Sequence, residues 1–310
     1  MDSPSGGSTH LTWTNVALGF SFIVFDSAVS HLFRLGVGSS LITAGVRCVV
    51  QLAVMALVLQ KIFEAQNPWG VAGLACLLNL LATFEVVVNK MKRRFHRMFP
   101  IVLFGMVIGT IPVAIIGAHF AMSIRPFWKP DQFIPIVGML CGNTISAVVV
   151  SISFVLKEMQ ENRDRVETYL AFGASRFEAC KPVATEALRL ALTPTINQMS
   201  VLGIISIPGM MTGAILGGSS VQQAARLQMV IMFMITAATA LGSIVTTVLA
   251  MGIVVDAEHR IRSERIDGRK HAIWRGRDRA VGAVVGGIER GWEKVRGRER
   301  AERESLLTQA

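Results

Sequence analysis

The chain has 310 residues, of which 52% are hydrophobic and only 17% are charged, and its formal net charge is +10. Soluble globular chains carry about a quarter charged residues. The charges are also concentrated at one end, because residues 256–310 hold 14 of the 31 basic and 10 of the 21 acidic residues. The remaining chain is too apolar for two or three soluble domains, which excludes a soluble enzyme and favours a polytopic membrane protein.

Seven stretches are long and apolar enough to cross about 30 Å of hydrocarbon as helices. Four of them contain no charged residue, and three contain one each, Asp26, Arg47 and Glu85. The sequence therefore predicts an all-α bundle of seven transmembrane helices within residues 11–255, between a short polar N-terminus, 1–10, and a charged tail. In chain order the predicted spans are 11–29, 41–59, 69–88, 98–124, 132–156, 190–225 and 227–255.

Basic residues in the connecting segments indicate the orientation of this bundle, because they resist translocation. They cluster in 90–97 after the third span, in 157–189 after the fifth, and in the tail 256–310. The opposite connections hold only Lys61, Arg125, Lys129 and Arg226. The pattern predicts an N-terminus outside and a C-terminus in the cytosol. Ten acidic residues in the tail argue against nucleic-acid binding, so we expect a lipid-facing extension.

Segment 157–189 is the longest internal polar stretch. Gly173 interrupts it, and Pro182 suits the first turn of a further helix. It therefore predicts two or three short amphipathic helices at the cytosolic face. Because its acidic and basic residues are mixed, a protein partner is favoured over anionic lipid. The apolar residues that recur near a 3.6-residue period are Val166, Tyr169, Leu170 and Phe172.

This segment resembles a known motif, and the chain as a whole resembles a known family. Glu167, followed by Gly173 and Ala174, resembles the first half of the coupling-loop motif of ABC importer permeases, in which an acidic residue and a glycine bracket a turn gripped by the ATPase. The second half of that motif is not found at the equivalent spacing. The wider chain resembles the FetB-type permease family, with PGMMTG as the most distinctive block. The blocks are IPIVGMLCGNTISA (134–147), VETYLAFGAS (166–175), LTPTINQMSVLGIISIPGMMTGAILGG (192–218) and 228–234.

These relatives are small ABC-transporter membrane subunits linked to iron export in bacteria and to aluminium tolerance in plants. The resemblance covers most of 11–255 but not the tail. It implies a permease domain that acts as a homodimer with two separate ATPase subunits, and iron or another metal ion as one cargo. The chain has no G-x-x-x-x-G-K-[ST] loop for ATP, which agrees with a separate ATPase. The implied ATPase-coupling residues are Glu167, Gly173, Ala174 and Glu178.

The candidate pathway or gate consists of polar residues and helix breakers inside the spans. Arg47 and Glu85 lie at similar depth, which suits an ion pair or a cavity lining; alternatively Arg47 snorkels and Glu85 neutralises the 90–97 cluster. Side-chain amides inside the spans, such as that of Asn143, either hydrogen-bond between helices or line the substrate pathway. Irregular backbone inside a membrane is tolerated only where protein or a water-filled cavity covers it. Prolines and glycines interrupt the sixth span at 208–218, so this range is the best candidate for the pathway or its gate. The candidates are Arg47, Glu85, Asn143, Pro208, Gly209, Met210, Met211 and Gly213.

Other functions are less well supported by the residues. A seven-helix receptor lacks an Asp-Arg-Tyr after the third span and an Asn-Pro-x-x-Tyr in the seventh, and Tyr169 is the one tyrosine of the chain. An ATPase-independent secondary transporter stays compatible with the pattern. The fifteen methionines are expected to fill the core rather than bind metal, and no cofactor is expected. We predict a multi-pass protein of a plasma membrane or of a vacuolar or other internal membrane.

Overall fold

The computed structural model describes residues 12–91, 93–95, 97–254 and 266–267. The predicted N-terminus 1–10 and nearly all of the tail 256–310 lie outside the described residues. Nine α-helices are described, with π-helical turns over Glu85–Lys90 and Gly117–Ala121 and two short strands. The helices are α1 Trp13–Leu32, α2 Gly38–Ala65, α3 Pro68–Phe84, α4 Met98–Ile116, α5 Pro130–Glu161, α6 Arg163–Ala171, α7 Arg176–Val201, α8 Gly209–Leu216 and α9 Val221–Val254, and the strands are β1 Arg94–Phe95 and β2 Ile266–Asp267.

Six helices of the described residues are long and apolar enough to cross a membrane. They are α1, α2, α3 with its π-helical end, α4 with its π-helical end, α5 and α9. The predicted polytopic bundle of apolar helices is thereby confirmed, and the first five predicted spans and the seventh each correspond to one of these helices.

The predicted sixth span, 190–225, is interrupted, as the helix breakers at 208–218 indicated, but the break begins earlier, at residue 202, and residues 209–216 are helical. Its first part is the second half of α7, which begins at Arg176 in the expected cytosolic segment. Residues 202–208 then leave the helix, α8 follows, and α9 begins at Val221. The break follows from backbone chemistry, since Gly203 adopts a left-handed φ of +82° and Pro208 cannot donate a backbone hydrogen bond.

The predicted basic segments meet at one end of the bundle. Arg93, beyond α3, forms an ion pair of 2.9 Å with Glu161 at the end of α5. Strand β1, in the same loop, pairs antiparallel with β2 from beyond α9. The grouping agrees with the expected placement of these segments on one side, while the cytosolic assignment of that side stays a prediction.

Helices α3, α4, α5 and α9 form the core and approach one another through small residues. A Cβ on Gly109 of α4 would lie 2.8 Å from the Ala238 carbonyl oxygen of α9, and one on Gly242 would lie 2.5 Å from Thr144 of α5. The Thr110 hydroxyl donates to Asn79 Oδ1 across α4 and α3 at 2.8 Å. Close backbone approach and interhelical hydrogen bonds are the contacts that stabilise helices in lipid.

Helices α1 and α2 form a peripheral hairpin. Only 6% of the most apolar stretch of each is buried, against 44–50% for α3, α4, α5 and α9. Gly45 lets the two helices meet, because a Cβ there would lie 2.8 Å from the Phe20 ring. The outer faces of this hairpin carry large apolar side chains, such as Phe22 and Leu52, which suit contact with lipid.

Candidate functional site

The predicted coupling segment folds as α6, a tight turn and the first turns of α7. Gly173 ends α6 with a φ of +86°, and its missing Cβ would meet nothing within 4 Å. A left-handed residue of this kind closes a helix at little steric cost only as glycine. Gly173 therefore sets the angle at which the chain leaves α6, which is a backbone reason for a glycine at this site.

The polar candidates of this segment stabilise its helices. Glu167 forms an ion pair with Arg163 one turn earlier in α6. Glu178 belongs to a capping box at the start of α7: its Oε2 accepts from the Ser175 hydroxyl at 2.7 Å and from the Ser175 amide at 2.8 Å. The hydroxyl and the amide of Ser175 hold the pKa of Glu178 below its ordinary value. Ala174 lies between the two helices and packs partly against the core.

The apolar side chains of the segment divide into two sets. Val166 is buried and Leu170 is half-buried, so they attach α6 to the bundle. Tyr169 is exposed, and Phe172 at the end of α6 has 87% of its surface exposed. Phe172 lies beyond the last residue of α6, Ala171, and it was not among the predicted coupling residues. Its position directly before Gly173 was the signal that sequence reasoning missed.

The structure brings Arg47 and Glu85 together. Arg47 Nη2 donates to Glu85 Oε2 at 2.6 Å, and Asn89 donates to the same oxygen. The pair joins the peripheral α2 to the point where α3 changes into its π-helical end, and such π-turns are frequent at functional sites. Glu85 is more enclosed than Arg47, with side chains 20% and 51% exposed.

The other pathway candidates lie elsewhere, so the eight do not form one site. Asn143 donates to the Met139 carbonyl of its own helix at 2.9 Å, and its side chain has no hydrogen bond to a second helix among the described residues. Pro208 precedes α8, and Met210 lines a cavity of about 450 Å³ between α5, α8 and α9. Sequence reasoning did not select the charged and polar residues of this cavity, which are Asp131, Gln132, Gln223 and Arg226.

The predicted pathway residues of α8 lie on two different faces of that helix. Met210 and Met211 are half-buried on the side of α9, together with Ala214 and Ile215. Gly209 and Gly213 lie on the opposite, exposed face.

The thiols and acidic groups of the described residues do not gather. No group of three or more His, Cys, Asp or Glu suited to a metal ion is found among them. Cys180, in the coupling segment, is buried, and burial raises its pKa to about 11. Its thiol is therefore protonated at neutral pH and is a poor metal ligand.

Comparison with known proteins places the chain among membrane proteins. The family model described as "Uncharacterised protein family (UPF0014)" matches residues 13–254. A UPF0014 membrane protein of Synechocystis is 30% identical over 76% of this chain and 91% of its own. The probable iron export permease protein FetB of Escherichia coli is 25% identical over 82% and 96%. Protein ALUMINUM SENSITIVE 3 of Arabidopsis thaliana is 29% identical over 71% and 79%. No solved structure matches.

Proposed function

Because the chain belongs to the UPF0014 family, whose matched relatives include membrane proteins and a probable permease, we propose that it is the membrane-spanning permease subunit of an ABC-type transporter. A separate ATPase supplies the energy. The observation that carries the proposal is the coupling segment, in which exposed aromatic side chains stand on a helix that is anchored to the bundle.

The geometry suits transmission of force from a partner protein. Val166 fixes α6 to the bundle, the Arg163–Glu167 pair supports its outer side, and the capping box fixes the start of α7. A push on α6 therefore moves the ends of α5 and α7 rather than deforming a loop. Phe172 supplies an exposed anchor, and a large aromatic side chain seated in a partner's pocket is a common centre of binding energy.

The proposal also includes an oligomeric state and a cargo. The permease acts as a homodimer among membrane lipids, with one ATPase on each coupling segment. Iron or another metal ion is the proposed cargo, because one relative is a probable iron export permease. The cargo crosses the membrane without binding a resident cofactor.

Purification from native membranes, followed by mass spectrometry, tests the ATPase. We expect a protein with a P-loop to co-purify, and we expect Glu167→Lys or Gly173→Leu to abolish the association while the protein stays folded. Transport by the purified protein in vesicles without ATPase or ATP would contradict the proposal and support a secondary transporter. Metal profiling of cells that lack the protein tests the cargo, since loss of an exporter of iron raises cellular iron.

A further inference from the structure

The break between α7 and α8 lies near the middle of the membrane-spanning bundle. Met199, near the end of α7, accepts a hydrogen bond of 3.4 Å from the Thr236 hydroxyl of α9. Thr236 lies ten residues beyond Arg226, which is about 15 Å along a helix, or half of the hydrocarbon thickness. Residues 202–208 therefore leave the helix at a depth where water is absent from a lipid environment.

Several polar groups at this break have no partner within the described ranges of the chain. Among the described residues, the backbone amides of Ile204 and Ile207 donate to no acceptor, and the side chains of Asn197 and Gln198 are exposed and form no hydrogen bond. Lipid tails cannot accept or donate hydrogen bonds, and each unsatisfied backbone group in hydrocarbon costs several kcal/mol. Protein or a water-filled cavity, and not lipid, must therefore cover this region.

The outward face of α8, the helix that follows residues 202–208, is also uncovered. Gly209, Thr212, Gly213, Leu216 and Gly217 recur at intervals of three and four residues, and all are exposed. A Cβ on Gly209 or Gly213 would meet nothing within 4 Å, so these glycines pack against no neighbour in the part of the chain that the structure describes. Small residues four apart let a second backbone approach closely in a membrane.

We propose that a second copy of this chain covers this surface, which consists of the end of α7, residues 202–208 and the outward face of α8. No Asp, Glu, Lys or Arg occurs in 190–225, so two identical faces meet without charge repulsion. The amides of Asn197 and Gln198 each carry a donor and an acceptor, so each side chain can pair with its equivalent across a two-fold axis. The inference rests on the homodimer of the proposed function and names its contact surface.

Cysteine cross-linking in native membranes tests the surface directly. In a chain with the exposed Cys48 and Cys76 changed to serine, we expect Thr212→Cys to give, on oxidation, a species of twice the 33.7 kDa protomer mass. The matched control is Gly73→Cys, on an exposed part of α3 with nothing within 4 Å of its missing Cβ. Equal yields from the two variants, or a cross-linked species of another mass, would overturn the proposal.

A second measurement tests the surface with a bulky side chain instead of a disulfide cross-link. Gly213→Leu is expected to lower the dimer fraction at least tenfold in lipid nanodiscs, while Gly73→Leu leaves it unchanged and both keep a helical circular dichroism spectrum. A dimer that survives Gly213→Leu contradicts the surface. Capture of the ATPase is scored on the same samples: capture without cross-linking rejects this surface alone, and cross-linking without capture rejects the proposed ATPase coupling alone.

Discussion

Two sets of glycines in this molecule have opposite surroundings. On α4, Gly105 and Gly109 lie against α9, and an added Cβ would collide with Thr246 or with the Gly242 backbone. On α8, Gly209 and Gly213 face open space. The first set allows the core of one protomer to form, whereas the second is available to another molecule. The same residue type thus marks a completed contact in the core and an uncovered surface at the periphery.

Two peripheral regions of the molecule also differ in the chemistry of their exposed atoms. The hairpin of α1 and α2 is exposed through large apolar side chains, which lipid solvates well. The region between α7 and α8 exposes large side chains too, those of Ile204, Ile205 and Ile207, but it also exposes backbone amides and side-chain amides without partners among the described residues, which lipid does not solvate. Exposure alone therefore does not identify an interface in a membrane protein; the chemistry of the exposed atoms does.

The largest expected effect is a loss of stability when a core glycine is replaced. Gly109→Leu places side-chain atoms against the Ala238 carbonyl oxygen and the Gly242 Cα, which are backbone atoms that cannot rotate away. We expect a loss of about 3 kcal/mol or more of stability, at the upper end of overpacking effects, and little folded protein. Thermal unfolding in detergent measures this. Gly73→Leu, whose added Cβ faces open space, serves as the control, and equal melting temperatures for both variants would show that the close approach at Gly109 does not stabilise the core.

A second prediction concerns an exposed residue that the protomer does not need. Phe172→Ala should weaken capture of the ATPase by at least tenfold, which corresponds to about 1.4 kcal/mol, because a partner's pocket loses its anchor. Stability should not change, since the ring is exposed. Phe120→Ala removes another exposed ring, at the other end of the bundle, and should leave capture intact. Equal effects of the two variants would show that Phe172 is not the anchor.

The link between hairpin and core provides a smaller effect. Arg47→Ala leaves Glu85 without its guanidinium partner and should cost about 1 kcal/mol, as expected for a partly exposed pair. A double-mutant cycle with Glu85→Gln, read by thermal unfolding, isolates the coupling between the two side chains. Strictly additive losses would indicate that the pair does not hold the hairpin to the core.

The smallest effect is a pH dependence at the start of α7. Bonds from Ser175 hold the pKa of Glu178 below 4.5, so the carboxylate contributes stability above that ordinary pKa. This contribution is lost as the pH falls through the lowered pKa of the folded state. Glu178→Gln should therefore flatten the acid side of the stability profile, measured by unfolding from pH 6 to pH 3. An unchanged profile would mean that the capping box does not persist in solution.

Much of the architecture and part of the candidate site could be predicted from the residues. Runs of apolar residues located six membrane helices, because crossing hydrocarbon imposes length and composition on each helix separately. Arg47 and Glu85 were predicted at similar depth, since a one-dimensional pattern defines position along a span. The family was also predicted from local blocks such as PGMMTG, and the match over 13–254 confirms it.

Other features depended on contacts between distant segments. Hydropathy over 190–225 is continuous, so it did not reveal that the chain leaves the helix after Val201. The end of the helix there depends on the backbone conformations of glycine and proline. Nor does a sequence tell which glycines lie against a neighbouring helix: Gly109 does and Gly213 does not. The sequence by itself determined a membrane bundle and its family, because solvation by lipid acts on each segment alone. The tertiary structure alone decided which surfaces stay uncovered, because burial depends on how the helices pack together.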